Sequence, residues 1–175
     1  MKRMGMTVAT ALMSVAMIGL YSLAGAPIGA YAASSPFAGG SGTSLSPYQI
    51  DTPAQLEAVA TCVNKGNDRG AYYELCNNIN LKSVSNFTPI GTCDDGFCGT
   101  FDGNGHAICN LSVSLPSVDY VGLFGLADHA TIENLTLDGA TVTGGGCEGT
   151  GALAGAACDN STVANVTACN VVNSG

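Results

Sequence analysis

Six carboxylates lie between positions 100 and 150, at Asp102, Asp119, Asp128, Glu133, Asp138 and Glu148. Two of them on one surface would be the minimum equipment for cleaving a glycosidic bond, which takes a pair of carboxyl groups about 5 to 9.5 Å apart. Asp102-Gly103-Asn104-Gly105 opens like a calcium loop, with side-chain oxygens at alternate positions. The twelfth position of that loop is Val113, where a bidentate Glu belongs, and no helices flank it, so the segment reads as a turn. The two histidines, His106 and His129, have no Cys at zinc-ligand spacing, and no nucleophile-elbow motif accompanies them. They read as turn residues. No metal, no cofactor and no catalytic residue is therefore expected.

The cysteines offer a different chemistry. All eight, at 62, 76, 93, 98, 109, 147, 158 and 169, follow an N-terminal segment with the grammar of an export signal. Lys2 and Arg3 precede an apolar run from Met6 to Ala26, and Ala30-Tyr31-Ala32 supplies the small-x-small cleavage site, so residues 1–32 are expected to leave between Ala32 and Ala33. A retained membrane anchor is the alternative, because the run approaches a bilayer-spanning length. An even number of exported cysteines predicts disulfides. Cys93 and Cys98 bracket a short loop, and Cys62 and Cys76 are placed to tie a helix to the strand after it; Cys109, Cys147, Cys158 and Cys169 are not paired by the sequence.

Charge narrows the partners. Without the leader, Lys65, Arg69 and Lys82 face thirteen acidic residues, three against thirteen, hence a net charge of about −10. Nucleic acid is not an expected partner, since phosphate binding needs concentrated Lys and Arg. No sorting motif or C-terminal hydrophobic anchor is read, so secretion and attachment at the cell surface are equal expectations, with no membrane contact once the signal is removed.

These residues must be positioned by a small set of elements. Residues 33–46 read as a Gly/Ser-rich linker. A helix over 52–65 is marked by Thr52 as N-cap, Pro53 at the first helical position and Gln55 completing a capping box. Its Leu56, Val59, Ala60 and Val63 fall on one face, and Gly66 stops it. After Gly70 only short strand-like runs follow, punctuated by Gly, Asn and Asp. The domain over 47–175 is thus all β apart from that helix.

Within the β region one template recurs: Ile108-Cys109-Asn110-Leu111-Ser112-Val113, Ile132-Glu133-Asn134-Leu135-Thr136-Leu137 and Val163-Ala164-Asn165-Val166-Thr167-Ala168. In a continuous strand Ile132 and Leu135 would face opposite sides. A left-handed residue at Asn134 bends the chain and lets Ile132, Leu135 and Leu137 all point inward. Successive corners recur at intervals within the range of solenoid coils, roughly 20 to 50 residues per repeat. That spacing suggests a solenoid in which Asn110, Asn134 and Asn165 stack as an inward amide ladder. On that reading, the sequons at Asn86, Asn110, Asn134, Asn160 and Asn165 are largely structural rather than glycosylated. By the same phase, no two of the six carboxylates occupy matching positions of adjacent coils.

A second repeat, Val121-Gly122-Leu123-Phe124-Gly125 and Gly151-Ala152-Leu153-Ala154-Gly155, completes the picture. Together with Phe37-Ala38-Gly39-Gly40-Ser41-Gly42-Thr43, Pro47-Tyr48-Gln49-Ile50 and Gly99-Thr100-Phe101-Asp102-Gly103-Asn104-Gly105-His106, it makes residues 37–175 resemble the bacterial GLUG-repeat surface proteins. The resemblance implies a right-handed parallel β-helix carried on adhesins, large surface proteins and non-catalytic parts of some immunoglobulin A peptidases, with GLUG-type repeats over about 97–175; the apolar stripe of the helix is expected to cap its first coil. The cysteines depart from the family pattern. Polysaccharide lyases of this architecture use a Lys or Arg base, and none follows Lys82. The expectation is a non-enzymatic, adhesin-like or scaffold module whose partner is a host or microbial surface glycan or protein. A carbohydrate-active hydrolase, and a stalk associating end to end with another chain, are the alternatives.

Overall fold

The computed structural model describes residues 35–146 and 148–175. The expected signal peptide, its cleavage between Ala32 and Ala33, and the start of the linker lie outside the described residues. The strands are β1 (Tyr48–Ile50), β2 (Tyr72–Leu75), β3 (Ile79–Asn80), β4 (Thr100–Asp102), β5 (Ala107–Cys109), β6 (Ser112–Ser114) and β7 (Phe124–Asp128). They continue as β8 (Thr131–Glu133), β9 (Thr136–Asp138), β10 (Thr141–Thr143), β11 (Ala154–Cys158), β12 (Thr162–Ala164), β13 (Thr167–Cys169) and β14 (Val172–Ser174). Among the described residues one helix, α1 (Pro53–Val63), joins β1 to β2.

The chain is a parallel β-solenoid of about three turns. Four parallel sheets run along the stack, in the orders β1-β2-β4-β8-β12, β3-β5-β9-β13, β6-β10-β14 and β7-β11. Their register defines the coil directly: Tyr73 pairs with Phe101, Phe101 with Ile132 and Ile132 with Val163, each pairing advancing the chain by one coil. In the inner coils, before the last one, each three-residue strand turns one residue inward, so Phe101, Ile108, Val113, Ile132, Leu137 and Val142 are all buried in one core. An aromatic file reinforces it, with Tyr73, Phe97 and Phe124 at ring separations of 6.0 and 5.4 Å.

The helix forms where the capping residues place it. The Thr52 hydroxyl accepts from Gln55 N at 3.3 Å, and the Gln55 side-chain oxygen accepts from Thr52 N at 3.1 Å. Leu56, Val59, Ala60 and Val63 are buried in the same core as Ile50 and Leu75. Lying between the edge strand β1 and β2, α1 contributes its apolar stripe to the first coil.

Two expectations change. Residues 35–46 are not a loose linker throughout: Phe37 is buried with its ring 4.5 Å from that of Tyr48, and Gly39 bridges Gln49 in antiparallel fashion. An aromatic side chain anchors the Gly/Ser segment that composition alone marks as free. The disulfides Cys93–Cys98 and Cys62–Cys76 are also absent; the seven described cysteines are free thiols. Cys93 sits exposed in a turn closed by Thr92 N and Asp95 O, whereas Cys98 has re-entered the coil with its N–H on Arg69 O. Cys62 lies beside Asp68 and Lys65 at the C-terminal end of α1. Cys76 lies beside Asp51 at the opposite end, where its N–H meets Ile50 O. About 14 Å of helical rise separates those ends, too far for a bond.

Candidate functional site

The corners come first, because they orient the polar side chains. Asn110, Asn134, Asn165 and Asn170 all have left-handed backbones, with φ of 58°, 52°, 52° and 52°. Around Asn134 the bend buries Ile132, Leu135 and Leu137 together. Asn165 Nδ2 donates to Asn134 Oδ1 at 3.1 Å, so these two residues stack one coil apart. Asn110 does not join them. Because Cys109 and Cys169 both pair with Asp138, Asn110 shares its corner with Gly139 and Asn170, one bend further round the coil. Its amide donates to Asn80 Oδ1 at 3.0 Å. By register Gly103 lies below Asn134, and the Asn134 amide reaches the residue before it, Asp102, whose Oδ1 accepts from Asn134 Nδ2 at 3.0 Å and from Asn104 N at 2.7 Å. These amides lie on the outside of the corners rather than inside: Asn110 and Asn165 are exposed, Asn134 is half-buried, and no polar side chain is buried in the described core.

The register also reverses the reading of the acids. Gln49, Glu74, Asp102, Glu133 and Ala164 pair in succession along the first sheet, so three carboxylates stand in one outward column. Rungs about 4.8 Å apart bring Asp102 and Glu133 near the short end of the separation a glycosidase pair needs. Asp102, however, is committed to the corner by its two hydrogen bonds, and the column crosses a sheet face rather than a groove. A parallel column sets Asp138 between Cys109 and Cys169. Hydrogen bonds from Asn170 at 2.7 Å and then Cys169 hold the Asp138 carboxyl below its ordinary value.

His129 and Asp128 form the one pair with the geometry of a hydrolytic dyad among the described residues, Nδ1 to Oδ1 at 2.8 Å. A nucleophile is missing beside it. The neighbouring Ser161 hydroxyl donates toward Cys158 O and Ala127 O and accepts from Ala130 N, so it is consumed by the turn. Cys158, in register with Asp128, has its thiol pushed up by burial and by Asp128 and Asp159, the opposite of an activated thiolate. His106 lies in the turn closed by its N–H to Gly103 O.

The two repeated segments at 121–125 and 151–155 pack beside a cleft that periodicity did not reveal. Val121, Leu123 and Phe124 are buried, and Phe124 pairs with Ala154 one coil on. Gly122 and Gly151 are stacked so closely that a Cβ on Gly122 would stand 2.4 Å from Gly151 O, and Leu153 packs on the core. A Cβ on Gly155 would stand 2.4 Å from Tyr120 Cα, and one on Gly125 2.9 Å from Tyr120 O. The main chain of Tyr120 is thus held between two glycines, with φ of 58°, a conformation that a bulky aromatic residue rarely adopts.

Tyr120 forms one wall of a cleft of about 470 Å³ between the loops at 88–93 and 115–120. Asn64, just beyond α1, fixes the first loop, its Nδ2 donating to Pro89 O at 2.9 Å and its Oδ1 accepting from Gly91 N at 2.8 Å. The second loop turns at Pro116, closed by Val118 N to Leu115 O, and Asp119 Oδ1 accepts from Glu148 N. Thr88 and Ser117 add hydroxyls, and Pro89, Leu115 and Val118 add apolar surface.

No protein-family model matches the chain. It is 39% identical over 110 residues to halomucin of Haloquadratum walsbyi, spanning 56% of this chain and 1% of that protein. It is 34% identical over 110 residues to a provisionally named Gly-rich membrane protein of Evansella cellulosilytica, spanning 59% of this chain and 12% of the relative. A crystal structure from Bacteroides ovatus, provisionally named an immunoglobulin A1 protease, superposes with a TM-score of 0.59 at 25% identity, over 69% of this chain and 34% of the other. The chain therefore corresponds to a small part of each. No described helix is long and apolar enough to cross a membrane.

Proposed function

We propose that the chain is a secreted or cell-surface β-solenoid module that binds and presents rather than catalyses. The observation that carries this reading is the use made of its reactive groups: Asp102 is tied to Asn104 and Asn134, and Ser161 beside the Asp128–His129 pair is tied to three backbone groups. Catalysis needs groups left free to move a proton or attack. The names of the relatives, a halomucin and a Gly-rich membrane protein, agree with a place at the cell surface. The protease name of the structural neighbour favours a hydrolytic reading, against which stands the missing nucleophile at His129.

The test incubates purified protein with insoluble polysaccharides and with immunoglobulin A, measuring retention alongside release of reducing ends and new N-termini. Retention without release is expected. Release that disappears in His129→Ala or Glu133→Gln would show a hydrolase instead.

A further inference from the structure

We propose that the cleft walled by Tyr120 is a binding site for an uncharged saccharide. Its volume of about 470 Å³ lies within the range of roughly 300 to 1,000 Å³ typical of small-molecule sites. Its lining pairs the two surfaces a sugar presents. Tyr120, Pro89, Leu115 and Val118 offer apolar area for the C–H face of a pyranose ring. The hydroxyls of Thr88, Ser117 and Tyr120 offer donors and acceptors, and no hydrogen bond to a described protein group engages any of them. The Tyr120 phenol is protonated at neutral pH, as an ordinary tyrosine is, and the nearby charge of Glu148 raises its pKa further, so it stays a donor.

Charge sets the class of sugar. None of Lys65, Arg69 and Lys82 lines the cleft, and Arg69 is occupied by Asp95 at 3.3 Å and Gly96 O at 3.0 Å. The lining carboxylate is Asp119, on a strongly acidic chain. Uronates, sialic acids and sulfated glycans meet no cation there and are repelled.

The backbone supplies an independent reason to look at Tyr120. A left-handed aromatic residue carries strain that glycine at the same position would not, and such strain collects where a side chain is needed for function. Both walls are braced, one by Asn64, itself a lining residue, and the other from outside by the reciprocal pair formed by Asn86 and Ser114, Ser114 N to Asn86 Oδ1 at 2.7 Å and Asn86 Nδ2 to Ser114 O at 3.3 Å. The cleft is built before any ligand arrives, which lowers the ordering lost on binding.

This inference rests on the binding-module reading, and the experiment separates the two. Purified protein is screened on an array of uncharged hexose and N-acetylhexosamine oligosaccharides beside sialylated, sulfated and uronate-containing ones. The best uncharged ligand is then titrated against the natural protein, Tyr120→Gly, and Thr88→Ala/Ser117→Ala. Uncharged ligands bind, Tyr120→Gly loses at least tenfold in affinity while melting at the same or a higher temperature, and the double hydroxyl variant also weakens binding. Affinity unchanged in both variants, or binding confined to acidic glycans or to proteins, overturns the cleft assignment and leaves the module reading standing. A folded protein that binds no surface component overturns both.

Discussion

Replacing Asn134 by Leu tests the corner geometry more sharply than any other single change. The substitution removes two side-chain hydrogen bonds, to Asp102 Oδ1 at 3.0 Å and from Asn165 Nδ2 at 3.1 Å. Each contributes about 0.5 to 1.5 kcal/mol, and since Asn134 is half-buried the lower half of that range applies, about 1 to 2 kcal/mol together. Leu must also hold φ at 52°, which costs about 1 to 2 kcal/mol for a residue that Asn's local bonding does not help. The sum is a loss of about 2 to 4 kcal/mol, read as a lower urea midpoint at unchanged slope. Asn134→Gly separates the contributions: it keeps the left-handed backbone and loses the bonds alone, so it should fall between Leu and the natural protein. Asn110→Leu gives up only the bond to Asn80 and the backbone preference, and should be milder than Asn134→Leu. An Asn134→Leu protein within about 0.5 kcal/mol of the natural one, the range of an ordinary surface substitution, would refute both the corner and its amide column.

Three further outcomes follow from the same contacts. Gly155→Ala puts a methyl group 2.4 Å from Tyr120 Cα, so thermal melting should show a loss of about 1 to 3 kcal/mol and the tyrosine ring should move. Asp138 has a folded pKa below its ordinary 3.8, so the stability it adds is present above that value and lost as pH falls through the folded one. Asn170→Ala should therefore raise the acid-unfolding midpoint followed by circular dichroism, with the two proteins converging in stronger acid. Thiol titration of denatured, unreduced protein should find no fewer than seven thiols, and reduction should leave the melting temperature unchanged; a smaller count would mean the cysteines pair.

The sequence made the fold legible where local chemistry alone decides the conformation. Thr52, Pro53 and Gln55 define a helix start through hydrogen bonds within four residues, and the helix begins there. Asn110, Asn134 and Asn165, each before an apolar, polar, apolar run, are left-handed corners for the same reason, whereas Asn78, with Ile79-Asn80-Leu81 after it, is not. Register is not local. The corner template serves two different bends of each coil, so Asn110 and Asn134 look equivalent in sequence although one aligns with Gly139 and the other with Asn165. The interval between them is a step around the coil as well as along it. The signal that would have separated them is the equal step from Phe101 to Ile132 and from Ile132 to Val163, which pairs Asp102 with Glu133 at once.

The cleft was hidden for a related reason. Strand residues reveal themselves through period and burial, but the loops at 88–93 and 115–120 have neither, and they meet only because the solenoid stacks them. One residue in them broke a local rule. Tyr120 stands immediately before Val121-Gly122, in a conformation natural to Gly or Asn, and two close-packed glycines are spent on accommodating its main chain. At most of the other left-handed positions flanking the strands the side chains are short and polar, Asn110, Asn134, Asn165 and Asn170 among them, and their amides bond along the stack, while the left-handed His129 has its ring held by Asp128 at 2.8 Å. Tyr120 makes no such bond with a described group, so its side chain does not repay the strain through stacking. That contrast within one chain is what separates a corner from a candidate contact, and it requires the backbone angle as well as the residue type.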